Sequence, residues 1–191
     1  DYMRGDSIAG EFPSSLHLAF RRKSQLRYGE NPHQRAALYC DPDIRSANLV
    51  SARQISGKEL SYNNLVDIDA AVGLMREFKD AAPTFAILKH TNSCGIATRT
   101  TLLQAWEDAL AADNVSAFGG ILIANTTVDL ATAKAIDEIF YEVLIAPAFE
   151  EAAMAHLGQK KKRILLRIKD FHANERSFKS LLNGVIEQDT N

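Results

Sequence analysis

The stretch PTFAILKHTNSCGIA, residues 83–97, decides the fold class, because a short apolar run stops at two adjacent basic side chains. Pro83 opens the run, and the run is too short for a helix. A polar stretch that contains glycine closes it, so residues 83–88 predict a buried strand. Ligands of open α/β sheets bind outside the carboxyl ends of the strands. Lys89 and His90 directly follow this strand and are therefore candidates for chemistry.

Lys89 and His90 place a proton acceptor next to a fixed positive charge. Imidazole exchanges its proton near neutral pH, and a neighbouring ammonium favours the neutral ring, so His90 is a candidate base. Lys89 is long enough to reach a developing oxyanion, and Asn92 and the backbone N–H groups near Gly95 are further candidate donors. The alternative is a surface turn in which Lys89 is solvated and His90 caps a helix or packs. The motif by itself leaves both interpretations open.

Helix and strand patterns alternate along the rest of the chain. Apolar residues between Leu65 and Phe78 recur at helical spacing, in a helix that must end before Pro83. Thr101 and Asp129 are predicted to cap two further helices. The other predicted elements are a helix over 149–157, strands over 36–40, 121–124, 143–146 and 163–168, and a strand pair over 178–186. This order predicts an α/β fold with a largely parallel sheet and helices on both faces.

Composition narrows the class of protein. A chain of 191 residues with 46% hydrophobic content can bury one large core, and residues 1–25 are interpreted as a linker before a domain over 26–191. The net charge of -2 does not produce a positive potential that would attract nucleic acid or an anionic membrane. The basic cluster at 160–163 is interpreted as a solvated helix end. No apolar run suits a membrane span or a signal peptide, which favours a cytoplasmic protein. Cys40 and Cys94 are isolated and are expected to be reduced thiols.

Three loops at predicted sheet edges offer groups that suit a nucleotide. Arg27, next to Tyr28, can bind a phosphate through two hydrogen bonds, Phe118 can stack on a heterocycle, and Gly119 lets the backbone approach a ligand. Each has a structural alternative, which is core packing for Phe118 and a tight turn for Gly119. If the loops converge with the turn after residue 88, the sequence predicts a nucleotide site.

Two polar residues next to predicted elements are further candidates. Asn63 precedes a helix and is either a ligand-binding group or a cap, and Glu142 starts an apolar strand and is either exposed or an acceptor for a ligand hydroxyl. The H-x-E and P-C-x-x-C motifs of zinc deaminases are missing, so zinc hydrolysis is not predicted. The phosphate-binding glycine motifs of ATP and dinucleotide sites are missing too.

Five blocks in order resemble the AICAR transformylase domain of the bifunctional AICAR transformylase/IMP cyclohydrolase family. They are residues 26–34, 61–65, 89–92, 116–120 and 145–147. The resemblance implies a three-layer α/β/α, cytidine-deaminase-like subdomain. It also implies transfer of a formyl group from the co-substrate 10-formyltetrahydrofolate to the 5-amino group of AICAR, giving FAICAR, without a metal. A homodimer with active sites at its interface is implied as well.

The resemblance also assigns roles to matching residues. His90 matches the proton acceptor and Lys89 the lysine that assists the transition state. The residues that match AICAR-binding positions are Arg27, Tyr28, His90, Gly119 and Glu142, and the further candidates are Asn92, Phe118 and Asn63. The chemistry agrees, because the delocalised amine of AICAR is a poor nucleophile that benefits from a base and from oxyanion donors.

The resemblance implies that residues 26–191 are the first subdomain of the transformylase domain. The cyclohydrolase domain and the second subdomain, which brings most folate contacts in the family, are expected to be absent, so our hypothesis is that this chain is inactive alone. Two alternatives from other classes are a nucleotide-binding module without catalysis and a dimerisation domain.

Overall fold

The computed structural model describes residues 12–40, 52–168, 171 and 176–190. Its strands are β1 (Arg21–Leu26), β2 (Ala36–Cys40), β3 (Arg53–Ser56), β4 (Thr84–Lys89), β5 (Asn92–Thr98), β6 (Ile121–Ala124), β7 (Val143–Ala146), β8 (Ile164–Arg167), β9 (Arg176–Leu181) and β10 (Gly184–Asp189). Its helices are α1 (Tyr62–Arg76), α2 (Leu102–Ala112), α3 (Leu130–Ile136) and α4 (Glu151–Leu157).

Six strands form a mixed sheet in the order β3-β8-β7-β6-β4-β5. The β6–β7 and β7–β8 pairs are parallel, whereas β3–β8, β4–β6 and β4–β5 are antiparallel. The prediction of a largely parallel sheet is therefore wrong. The main cause of the error is β5, which forms where the sequence predicts only a polar turn. A turn of two residues joins β4 to β5, and so short a connection permits only antiparallel pairing.

Helices cover both faces of this sheet, so the prediction of an α/β fold with three layers is confirmed. On one face, α1 buries Ile68, Ala71 and Met75 against the sheet. On the other face, α2, α3 and α4 pack against a second apolar cluster that includes Trp106 and Leu157. Strands covered on both sides expose almost no side chain, which explains why β6 and β7 are continuous apolar runs.

The predicted helix caps are present. Thr101 and Asp129 accept hydrogen bonds from the backbone N–H groups of Gln104 and Thr132. At the start of α1, Ser61 and Asn64 form a reciprocal capping box. Capping in this polar segment is thus the role of Ser61 and Asn64, and Asn63 is left for another contact.

Two hairpins lie outside the six-stranded sheet. β9 pairs with β10, as the predicted strand pair over 178–186 requires. β1 pairs with β2 and lies largely within the segment interpreted as a linker, of which residues 1–11 lie outside the described residues. The domain boundary at residue 26 stays a prediction.

The basic cluster at 160–163 is not simply a solvated helix end. Arg163 is only 6% exposed, forms an ion pair with Asp137 and donates to the backbone oxygen of Ile139 at 2.7 Å. Lys160 also contacts Asp137, at 2.8 Å. A buried carboxylate–guanidinium pair thus fixes the segment before β7.

Within the described ranges, none of the helices has the length and apolar character needed to cross a membrane. Cys40 and Cys94 are free, as expected, and both are half-buried. Burial raises the pKa of the Cys94 thiol, and Asp113 adds to the effect.

Candidate functional site

The candidate residues collect at one edge of the six-stranded sheet. Leu88, near the end of β4, pairs with Ile121 at the start of β6, and Ile121 pairs with Val143 at the start of β7. The residues just beyond these positions are Lys89, the glycine pair at 119–120 and Glu142. The edge is the carboxyl end of β4 but the amino end of the parallel strands, because β4 runs antiparallel to β6. The rule that ligands bind outside the carboxyl ends of strands therefore predicted this edge from β4 only, because β6 and β7 begin here.

His90 and Thr91 form the tight turn between β4 and β5. Their φ angles are 50° and 65°, positive values that a two-residue hairpin turn requires and that side chains other than glycine and asparagine adopt at a cost. Asp67 of α1 accepts a hydrogen bond from the Thr91 backbone N–H at 2.9 Å. The His90 carbonyl accepts from Thr91 Oγ1 at 2.6 Å and from Asn92 Nδ2 at 2.8 Å. Because His90 is also exposed, its side chain is open to solvent on a fixed turn, and the Asn92 side chain stabilises that turn.

Lys89 connects this turn to the glycine loop. Its Nζ donates to the Phe118 carbonyl at 3.0 Å. The Phe118 ring is 61% exposed, so core packing is wrong for it, and it contacts the Phe140 ring with centroids 5.5 Å apart. Gly119 has a φ of 76° and donates its N–H to the Phe140 carbonyl at 2.8 Å. Both the left-handed backbone and the exposed aromatic ring are thus fixed beside Lys89.

Asp113 orders the beginning of that loop. Its carboxylate accepts from the Ser116 backbone N–H at 2.9 Å. Hydrogen bonds from Ser116 hold the pKa of Asp113 below its usual value, and the positive charge of Lys89 acts in the same direction.

The expectation for Gly95 is wrong. Gly95 is buried in β5, where an added Cβ would lie 2.0 Å from the Ala109 carbonyl oxygen of α2. The missing side chain lets strand and helix approach each other closely, so the backbone here is packed and does not face the candidate site.

A cleft of about 620 Å³ brings together Arg27, Tyr28 and Glu142. It lies between β1 with its following loop, β3, and the start of α1. The Arg27 guanidinium carbon is 5.7 Å from the centre of the Tyr28 ring. Lys89 and His90 are not among the residues that line the cleft. The connection between the two groups is Glu142, whose N–H donates to the Gly120 carbonyl at 3.0 Å.

Two residues that sequence reasoning missed belong to this arrangement. Lys58 lines the cleft and forms an ion pair with Glu142 at 2.7 Å, so Glu142 is paired in this structure. Asp67 holds the His90 turn, as described above. The sequence signal for Lys58 is the glycine that precedes it, which indicates a turn. In the structure this residue, Gly57, has a φ of 102°. Asp67 gives no signal, because its partner lies 24 residues away.

Asn63 joins the loop after β1 to α1. Its Nδ2 donates to the Glu30 carbonyl at 3.3 Å. In this structure its side chain supports the loop that carries Arg27 and Tyr28.

No group of three or more His, Cys, Asp or Glu side chains that could hold a metal occurs among the described residues.

The arrangement thus has two parts that meet at Glu142: a cleft lined by Arg27 and Tyr28, and a sheet edge that carries Lys89 and His90. Comparison with known proteins shows which family the chain belongs to. The family model described as AICARFT/IMPCHase bienzyme matches residues 1–191. The bifunctional purine biosynthesis protein PurH of Rhodopirellula baltica is 56% identical over 164 residues, which cover 85% of this chain and 31% of that protein.

Two further relatives carry the same name. PurH of Bacteroides thetaiotaomicron is 51% identical over 181 residues, covering 95% of this chain and 34% of the relative. PurH of Enterococcus faecalis is 48% identical over 183 residues, covering 93% and 35%. The chain thus spans about one third of the length of these relatives. Since the family model covers every residue, the chain belongs to the AICARFT/IMPCHase bienzyme family.

Proposed function

We propose that this chain supplies the amine-activating part of an AICAR transformylase site in de novo purine biosynthesis. The reaction is formyl transfer from 10-formyltetrahydrofolate to the 5-amino group of AICAR, which gives FAICAR. The observation that carries the proposal is the meeting of the His90 turn, the glycine loop and Glu142 at one sheet edge. Family membership supports the same chemistry.

The cleft suits a ribotide. Arg27 would bind the phosphate, Tyr28 would support the guanidinium and the heterocycle, and Glu142 would accept from ribose hydroxyls. Gly119, with no side chain in the way, allows the ligand to approach the loop beside Phe118.

The chemistry needs a base and an oxyanion donor. As the AICAR nitrogen attacks the formyl carbon, His90 takes a proton from the amine, and a tetrahedral oxyanion forms. Lys89, oriented by the Phe118 carbonyl, donates to this oxyanion. When the carbon–nitrogen bond to the folate breaks, a proton goes to N10 of the leaving tetrahydrofolate. No metal takes part in these steps.

The remaining parts of the site come from outside the chain in this proposal. The chain spans about one third of its PurH relatives, so most folate contacts belong to the rest of a full-length enzyme, and the chain alone would be inactive. The full enzyme would be a cytoplasmic homodimer with its sites at the interface, and nucleic acid and membranes would not be partners.

The test compares two histidine variants of a full-length enzyme that contains this chain. His90→Ala should lower the rate of FAICAR formation by about 100-fold or more, the contribution typical of a general base. His17→Ala is the matched control, because His17 is exposed, its hydrogen bond is to Ser15 in the same segment, and its loss should leave the rate unchanged. Unchanged turnover in His90→Ala would exclude the catalytic role. Calorimetric binding of AICAR by an enzyme without turnover would favour a nucleotide-binding module, and absence of binding would favour a dimerisation domain.

A further inference from the structure

One helix contacts both halves of the candidate site through two side chains four residues apart. Asn63 Nδ2 donates to the Glu30 carbonyl at 3.3 Å, in the loop that follows Arg27 and Tyr28. Asp67 Oδ1 accepts from the Thr91 N–H at 2.9 Å, in the turn that carries His90. Residues at this spacing lie on the same face of a helix. The same face of α1 therefore contacts the ribotide-binding loop and the His90 turn.

α1 is well suited to fix a distance. Its first turn is closed by the capping box of Ser61 and Asn64. An adjacent face of the helix buries Ile68, Ala71 and Met75 completely against the sheet. A helix anchored in this way moves little relative to the sheet, so both contacts start from a rigid support.

The His90 turn requires such support. Thr91 is β-branched and has a φ of 65°, a conformation that side chains branched at Cβ strongly disfavour. The carboxylate of Asp67 bonds to the N–H of that same residue, and hydrogen bonds to an ionised acceptor are the stronger kind. The Thr91 and Asn92 side chains both donate to the His90 carbonyl, which is the other end of the same peptide group, so both polar atoms of the His90–Thr91 peptide are hydrogen-bonded.

We propose that Asn63 and Asp67 are positioning residues that hold the ribotide-binding loop and the His90 turn at a fixed separation. This inference rests on the proposed function and adds two residues to it. Asp67 acts through His90 and therefore affects the chemical step. Asn63 acts through the loop of Arg27 and Tyr28 and therefore affects AICAR binding. Neither side chain touches the reacting atoms.

Steady-state kinetics of a full-length enzyme separate the two roles. Asp67→Ala should lower kcat by about 10- to 100-fold, the loss typical of a misplaced catalytic group, while KM for AICAR changes less than about threefold. Asp67→Asn keeps an oxygen at the same atom and should restore kcat to within about fivefold of the wild type. Asn63→Ala should raise KM for AICAR by about five- to tenfold and leave kcat nearly unchanged, as loss of one supporting hydrogen bond predicts.

Asp69→Ala is the matched control, because it removes the same charge from the same helix. In the described part of the chain, Asp69 makes no hydrogen bond to the His90 turn or to the loop of Arg27. Its kcat and KM should stay at the wild-type values. A loss of kcat in Asp69→Ala equal to that in Asp67→Ala would assign the effect to helix charge and overturn the proposal.

Hydrogen–deuterium exchange tests the support of the turn without relying on activity. The peptide over 88–94 should exchange faster in Asp67→Ala than in the wild type and in Asp69→Ala. Unchanged exchange, or unchanged kcat in Asp67→Ala while His90→Ala is inactive, would overturn the positioning role and leave the proposed function intact. If exchange rises but His90→Ala keeps full turnover, the proposed function fails and the structural role of Asp67 stands.

Discussion

Lys58 Nζ lies 2.7 Å from Glu142 Oε2, so that two opposite charges meet on the wall of the cleft. The turn that presents Lys58 is well fixed: Gln54 Nε2 donates to the Lys58 carbonyl at 2.7 Å. An added Cβ at Gly57 would lie 2.3 Å from the Arg163 carbonyl oxygen, so glycine is required there. Because the side chain of Lys58 is 53% exposed, the pair adds only about 0–1 kcal/mol to stability. The main effect of the ion pair is to neutralise the Glu142 carboxylate on the wall of the cleft that a ligand would enter.

Replacement of Lys58 by methionine should weaken binding of AICAR by about tenfold, because the unneutralised Glu142 carboxylate would then repel the anionic ligand from within the same cleft. Titration calorimetry on a full-length enzyme at low and high salt measures this, and the loss should shrink as salt screens the repulsion. The free energy of unfolding should change by less than about 0.5 kcal/mol. In the Glu142→Gln background the same Lys58→Met change should have a much smaller effect. Equal affinities of Lys58→Met and the wild type at low salt would contradict the prediction.

A methyl group at Gly95 should destabilise the fold. Gly95→Ala places a Cβ 2.0 Å from the Ala109 carbonyl oxygen, so β5 and α2 must separate at a cost of about 3 kcal/mol or more. Gly73→Ala is the control, because it lies in α1 with open space around its Cβ position. It should stabilise the protein by about 0.5–1 kcal/mol, as alanine does in a helix. Urea unfolding of both variants would show the opposite signs, and equal effects would contradict the packing role of Gly95.

The sequence was sufficient for the helices and the buried strands because their signals are local. Apolar spacing and cap residues determined α1, α2 and α3, and continuous apolar runs determined β6 and β7. β5 was missed because Asn92–Thr98 is polar and contains glycine, and because its turn lacks the asparagine–glycine pair typical of hairpins. The short β3 was missed as well, and because β3 and β5 both pair antiparallel with their neighbours, their omission made a mixed sheet look largely parallel.

The candidate site was predictable only in part, because local sequence patterns reveal single loops but not the contacts between them. Loops with arginine, histidine and glycine could be recognised individually, and the family resemblance supplied their roles. The contacts between distant segments could not be predicted, since neither the pairing of Lys58 with Glu142 nor that of Asp67 with Thr91 has a local pattern. Asn63 is an example. The sequence suggested a ligand-binding group or a helix cap, whereas its side chain donates to the distant Glu30 carbonyl and supports the loop of the candidate site.

Glycine at position 91 should relieve the strained backbone of the turn. Thr91 has a φ of 65°, and replacing it by glycine should raise stability by about 0.5–1 kcal/mol, after loss of its hydroxyl contact with the His90 carbonyl. Ser93→Gly is the control, since Ser93 lies in β5 without a positive φ and its replacement should cost about 0.5–1 kcal/mol. Thermal unfolding measures both. A loss of stability in Thr91→Gly as large as that in Ser93→Gly would show that the turn is not strained.

Removal of the Tyr141 hydroxyl should make the fold more resistant to alkali. Burial raises the pKa of Tyr141 to about 12, and the Arg163 guanidinium over its ring counteracts this shift only in part. The folded state therefore favours the protonated phenol, and its contribution is complete below the unfolded pKa near 10 and is lost as the pH rises toward 12.

The stability of Tyr141→Phe relative to the wild type should consequently increase by about 2 kcal/mol between pH 8 and pH 12. Tyr62→Phe serves as the control, because Tyr62 is 40% exposed and its difference from the wild type should stay constant over the same range. Urea unfolding at several pH values gives both differences. If the Tyr141→Phe difference were as flat as that of Tyr62→Phe, ionisation of Tyr141 would not limit the fold at high pH.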